Sequence, residues 1–107
     1  MEYIGRLEND RKLYADEVGI VIFGAGKDLG KILDKLEKLN IKKKVLCACD
    51  NDIEKQGKKI MGIEIVSPDY VLIHYSNATY IVYNQFCIEI CRQLTEQGIK
   101  KIHLIRS

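Results

Sequence analysis

The sequence predicts an α/β fold: a doubly wound, five-strand parallel sheet behind an N-terminal helix. Three observations predict it. Short apolar runs rich in β-branched residues recur along the chain, as in strands buried on both faces. The segments between them carry apolar residues at helical spacing. The first run breaks into a glycine cluster that opens a helix, the start of a strand–helix–strand unit with parallel pairing and right-handed crossover.

Residues 1–17 read as a helix. Tyr3, Ile4, Leu7 and Tyr14 form a thin apolar stripe on a charged segment, a face suited to the rest of the domain or to a second copy of the chain. The domain proper spans 18–107. Val18-Gly-Ile-Val-Ile-Phe23 is the first strand. After Gly24-Ala-Gly-Lys-Asp-Leu-Gly30, a helix carries Leu29, Ile32, Leu33, Leu36 and Leu39. Asn40 stops it in a left-handed conformation. Val45 to Cys49 is the second strand, ending at Asp50-Asn51-Asp52, and Ile60 to Val66 is a third with a glycine inside. Ser67-Pro68-Asp69 starts a helix, with serine as cap, proline at the first helical position and aspartate on the positive end. Thr79 to Tyr83 is the fourth strand. Phe86, Cys87, Ile90, Cys91 and Leu94 make an amphipathic helix closed by Gly98, and Lys101 to Ile105 is the last strand.

Composition bounds the function. The chain has 107 residues, 47% hydrophobic and 30% charged, with a net charge of +2. That length holds one domain and has no room for a two-domain dehydrogenase. The near-neutral charge points away from nucleic acid and anionic membranes as partners. The charged N-terminus has no signal-peptide core, and the longest apolar runs fall far short of the ~18 residues of a membrane span. A cytoplasmic location without membrane insertion is expected. Cys47-Ala-Cys49 and Cys87-x-x-x-Cys91 lack zinc-ligand spacing, and His74 and His103 are distant in sequence. Reduced, buried, structural cysteines are the reading for such a chain. The alternative is a redox pair of Cys47 and Cys49, whose side chains share one face of the strand.

The most informative segment is strand, Gly24-x-Gly26-x-x-x-Gly30, helix. Gly24 supplies positive φ at the sharp turn. Gly26 lets a bulky anion approach the backbone. The amides around Ala25 and Lys27, at the positive end of the helix, attract a phosphate. The last glycine is four residues after the second, one more than in the usual dinucleotide motif. One extra residue turns the bare position about 100° around the helix, so Gly30 can relieve a different contact. Asp28 can also cap the helix and occupy the anion site itself, and the whole turn can serve strand-to-helix packing alone. Asp50 lies twenty residues after Gly30 at the end of the second strand, where a carboxylate meets a nucleotide's ribose and repels a 2′-phosphate. It can equally be turn chemistry, since Asp-Asn-Asp suits a bend after a strand.

Taken together, Val21-Ile-Phe-Gly-Ala-Gly-Lys27, Asp50-Asn-Asp-x-x-Lys55-x-Gly57 and Ile60-x-Gly62-Ile63-x-Ile65-x-Ser67-Pro68 resemble a small Rossmann-like nucleotide-binding domain of bacterial surface-polysaccharide biosynthesis proteins. That domain is similar to the N-terminal part of nucleoside-diphosphate-sugar epimerases and dehydratases, and of sugar acetyltransferases. The resemblance covers roughly residues 18–105 and implies that Gly24, Gly26, Asp50 and Asn51 line a site for a nucleotide or nucleotide-sugar. It also implies a transferase domain or protein as partner.

Asn84 and Gln85, at the end of the fourth strand, can hydrogen-bond a ligand ring, although Asn84 also suits a helix cap. Lys55, Lys58 and Lys59 read as a solvated face within reach of a phosphate. No Tyr-x-x-x-Lys occurs, so the proton-transfer pair of short-chain dehydrogenases and epimerases is missing. The expectation is a module without catalytic residues, holding NAD(H) or a nucleotide-sugar through Gly24, Ala25, Gly26, Lys27, Gly30, Asp50, Asn51 and Asn84. The alternatives are the front fragment of a nucleotide-sugar epimerase or dehydrogenase, and a non-binding interaction domain that forms a homodimer.

Overall fold

The computed structural model describes residues 19–83 and 87–104. The N-terminal helix, Val18, Asn84, Gln85, Phe86 and Ile105 of the sequence reading lie outside them. The order is β1 (Ile20–Phe23), α1 (Leu29–Lys38), a 3₁₀ turn (Lys42–Lys44), β2 (Val45–Cys49), β3 (Lys59–Ile60), β4 (Ile63–Val66), α2 (Pro68–His74), β5 (Thr79–Val82), α3 (Cys87–Glu96) and β6 (Ile102–Leu104).

The sheet has six strands in the order β3-β4-β2-β1-β5-β6. Neighbours from β4 to β6 pair in parallel, whereas β3 runs antiparallel to β4. This corrects the five-strand, all-parallel expectation, and the reason is local. The stretch read as one strand, Ile60 to Val66, folds on itself as a hairpin that pairs Ile60 with Ile63. Its two turn residues, Met61 and Gly62, take φ of 52° and 81°, the left-handed pair that a two-residue hairpin of matching twist needs. Methionine is a poor advertisement for such a turn, so the bend was hidden.

Elsewhere the local signals act as read. All four β1 residues are buried, as a central strand covered on both faces requires. Asn40 takes φ 62°, and the N–H of Ile41 donates back to the Leu36 carbonyl at 2.9 Å, closing α1. Ser67 Oγ accepts from the Tyr70 N–H at 3.1 Å, with Pro68 opening α2.

Two buried clusters sandwich the sheet. Ile20, Ile22, Ala48, Ile65 and Ile81 meet Leu29, Ile32, Leu33 and Leu36 of α1 on one face. Val21, Phe23, Cys47, Cys49, Tyr80 and Val82 meet Val71 of α2 and Ile90, Cys91 and Leu94 of α3 on the other. Cys47, Cys49 and Cys91 are all buried. Burial, with the Glu64 carboxylate adding to it, pushes the Cys47 thiol up to about 12. Burial, then the neighbouring Cys47, pushes Cys49 higher still. Both are held as thiols packed in the core, not as exposed nucleophiles. Among the described residues no helix is long and apolar enough to cross a membrane.

From β1 the chain moves outward through β2 to β4, then crosses back to β5 on the other side of β1. β2 and β5 flank β1 on opposite sides, so the carboxyl end of β1 lies at the reversal of strand order, where a crevice opens.

Candidate functional site

A cleft of about 620 Å³ occupies that crevice. Its floor is the end of β1, Phe23 with Gly24, Gly26, Lys27 and Asp28. Asp50, Asn51, Asp52 and Lys55 form one wall. Tyr83, Glu89, Ile90 and Gln93 form the other.

Gly24 takes φ 118°, so the strand turns where only glycine is unstrained. Its N–H donates to the Cys49 carbonyl at 2.7 Å, extending the β1–β2 ladder into the turn. Gly26 is used differently. A Cβ there would meet no atom of the described residues within 4 Å, so nothing among them requires the bare position. Lys27 is exposed at the rim. Among the described residues, the Lys27 and Asp28 N–H groups donate no hydrogen bond, as is normal before the first helical turn.

Asp50 faces this turn. Its Oδ2 accepts from the Ala25 N–H at 2.8 Å and its Oδ1 from the Asp52 N–H at 2.8 Å. The Lys55 ammonium stands 4.0 Å from Oδ2. The turn reading of Asp50 is therefore realised: one oxygen shapes the Asp-Asn-Asp bend, and the other reaches across to the glycine turn. Asp52 continues the bend by accepting from the Glu54 N–H at 3.0 Å. The Gln56 amide donates to the Asp50 carbonyl at 2.9 Å, folding the loop back on the strand end. A carboxylate has about four acceptor positions; the two backbone donors leave capacity for ligand hydroxyls. The Ala25 amide, in contrast, is already satisfied and buried, so the donors left for an anion begin at Lys27.

Asp28 lines the cleft. It sits at the helix N-cap but makes no side-chain capping bond. Its carboxylate pairs with Lys31 at 3.8 Å instead. Gly30 is not part of the cleft lining. A Cβ on it would come 3.2 Å from Met61 Sδ, so the bare position accommodates the β3–β4 hairpin, as the one-residue longer spacing allows. Asn51 lines the cleft and exchanges amide hydrogen bonds with Gln93. Asn84 lies outside the described residues.

Sequence reasoning missed Tyr83 as a site residue. Its hydroxyl donates to the Gly24 carbonyl at 3.0 Å, tying the end of the β5 segment to the glycine turn. Burial pushes the phenol up to about 12; the Asp28 carboxylate adds to this, and the Gly26 N–H that hydrogen-bonds the oxygen works against it. Its place as the last residue of the Thr79–Tyr83 run, beside the strand-order reversal, was the available signal. Glu89, Ile90 and Gln93 carried none beyond helical spacing.

Asp28, Asp50, Asp52 and Glu89 line the cleft together with Lys27 and Lys55. Carboxylates suit hydroxyl-rich groups such as a ribose or a sugar, and the lysines and open amides suit a phosphate. Among the described residues no cluster of histidine, cysteine or carboxylate side chains is grouped to hold a metal ion.

Residues 17–105 match the model of a protein family described as C2185-like, N-terminal. No curated protein matches the chain.

Proposed function

The chain belongs to the C2185-like, N-terminal family, and we propose that it is a nucleotide-binding module holding NAD(H) or a nucleotide-sugar. The observation that carries this reading is the 2.8 Å contact of Asp50 with Ala25 at the edge of open space over Gly26. It sets a carboxylate for ribose hydroxyls beside a bare backbone for a diphosphate, the two demands that such a ligand makes together. Lys27 and the neighbouring amides meet the phosphates. Asp50 meets the ribose and disfavours a 2′-phosphate, so NAD binds ahead of NADP.

The module supplies no chemistry of its own in this reading. Tyr83 is spent on the backbone carbonyl of Gly24, and its raised pKa keeps the proton in place at neutral pH. A transferase domain or protein then acts on the ligand, in surface-polysaccharide or sugar metabolism, as the sequence resemblance suggests. Asp28, turned to Lys31, weighs against the alternative of a blocked, non-binding interaction domain.

Thermal melting with NAD, NADP, UDP-sugars and CDP-sugars at millimolar concentration tests the proposal. A ligand at ten times its Kd stabilises the folded state by about 1.4 kcal/mol, which raises Tm by roughly 6–11 °C in a domain of this size. An unmoved Tm with every ligand overturns it.

A further inference from the structure

Asn51 and Gln93 are 42 positions apart in sequence yet meet across the cleft as a reciprocal pair. Asn51 Nδ2 donates to Gln93 Oε1 at 3.2 Å, and Gln93 Nε2 donates to Asn51 Oδ1 at 3.3 Å. A primary amide presents an N–H donor beside a carbonyl acceptor, and so does the edge of a nucleobase. Each amide of this pair therefore occupies its partner in the way a base edge would. We propose that Asn51 and Gln93 read the edge of a heterocyclic base, one amide turning from the other to the base when a nucleotide enters.

Three features support the exchange. The pair is exposed and both bonds are at the long end of the hydrogen-bond range, so little is lost when they part. The number of hydrogen bonds is conserved when a base replaces an amide, which keeps the net cost small. The placement is also right. Asn51 directly follows Asp50, so a base attached to a ribose held by Asp50 lies within reach. Ile90, one turn before Gln93 on the same helix face, lines the cleft and offers apolar surface to the flat of a ring. The inference rests on the nucleotide reading and narrows it. The ligand carries a base with adjacent donor and acceptor atoms, and the site ranks such nucleotides above base-less sugar phosphates.

The test compares ADP with 1,N6-etheno-ADP and UDP with N3-methyl-UDP by calorimetry. Each modification blocks the donor of the base edge and leaves ribose and diphosphate unchanged. The proteins are the wild-type chain, Gln93→Leu and Asn51→Ala, each checked for an unchanged melting profile. Wild type is expected to bind the unmodified member of the better-bound pair about tenfold tighter than its blocked counterpart. The variant that lacks the base-reading amide shrinks that gap to within about twofold, chiefly by weakening the unmodified nucleotide, while the other variant keeps it. A wild type indifferent to the block overturns the inference and leaves the nucleotide reading standing. So do variants that weaken both members equally, which marks the amide pair as a structural tie. Binding of neither ADP nor UDP overturns both.

Discussion

Gly26→Ala separates the ligand's claim on the glycine turn from the protein's own. An added Cβ at this position meets no atom of the described residues within 4 Å, and Gly26 is not among the positive-φ glycines. The folded state accommodates alanine, while the unfolded chain loses freedom, so the variant gains about 0.4–1 kcal/mol. In a domain of this size that raises Tm by about 2–8 °C. Gly24→Ala is the contrasting control: at φ 118° alanine is strained, and Tm falls. For a ligand the order reverses. A phosphate drawn close to the turn has no room beside a new methyl group, and such overpacking costs about 1–3 kcal/mol, or roughly 5- to 150-fold in affinity. Melting followed by circular dichroism and titration calorimetry on the same preparations gives both numbers. A lower Tm for Gly26→Ala refutes the open space over the turn. A Tm at or above wild type with undiminished affinity refutes the approach of the ligand across Gly26.

Three further outcomes follow from the same geometry. Gly30→Ala stabilises by about 0.5–1 kcal/mol as a helix substitution, because the neighbour it meets is the far end of exposed Met61; nucleotide affinity is unchanged, and a loss would return Gly30 to the site. Asp50→Ala removes the acceptor of two backbone N–H groups and costs about 2–4 kcal/mol in urea denaturation, with Asp50→Asn losing less; an unchanged midpoint contradicts the described contacts. Stability falls as pH rises from about 10 towards 12, because folded Tyr83 keeps its proton up to about 12 while the unfolded phenol releases it near 10. Cys47, raised from 9.0 to about 12, acts in the same direction from a lower starting pH. Urea midpoints across this range show the decline, and Tyr83→Phe makes it shallower between pH 10 and 12; equal slopes for the two proteins refute the assignment.

The residues that announced themselves are those whose chemistry acts within a few positions. Gly24, Asn40 and the Ser67-Pro68 cap set local backbone geometry, and each does in the structure what its type requires. The β-branched runs marked the parallel core because strands buried on both faces admit little else. The Met61-Gly62 hairpin was illegible for the converse reason. Its left-handed first residue is tolerated by methionine at a cost, not encoded by it, so a two-strand hairpin read as one strand with a glycine inside. In the site, spacing alone indicated that Asp50 belonged beside the glycine turn. That it would claim the Ala25 amide, or that Asp28 would prefer Lys31, depends on side-chain directions that a linear pattern does not carry. Tyr83 and Gln93 reach the cleft only through sheet order and helix placement, which are long-range outcomes of packing.

The most direct test of the account is a 15N–1H correlation titration of the intact chain with NAD and with a UDP-sugar. The account predicts saturable shifts for the amides from Gly24 to Asp28, from Asp50 to Asp52 and at Tyr83. Asn40 and Ala78, at the opposite ends of the strands, stay still. A spectrum unmoved by either ligand at millimolar concentration, or shifts centred on Asn40 and Ala78, contradicts it.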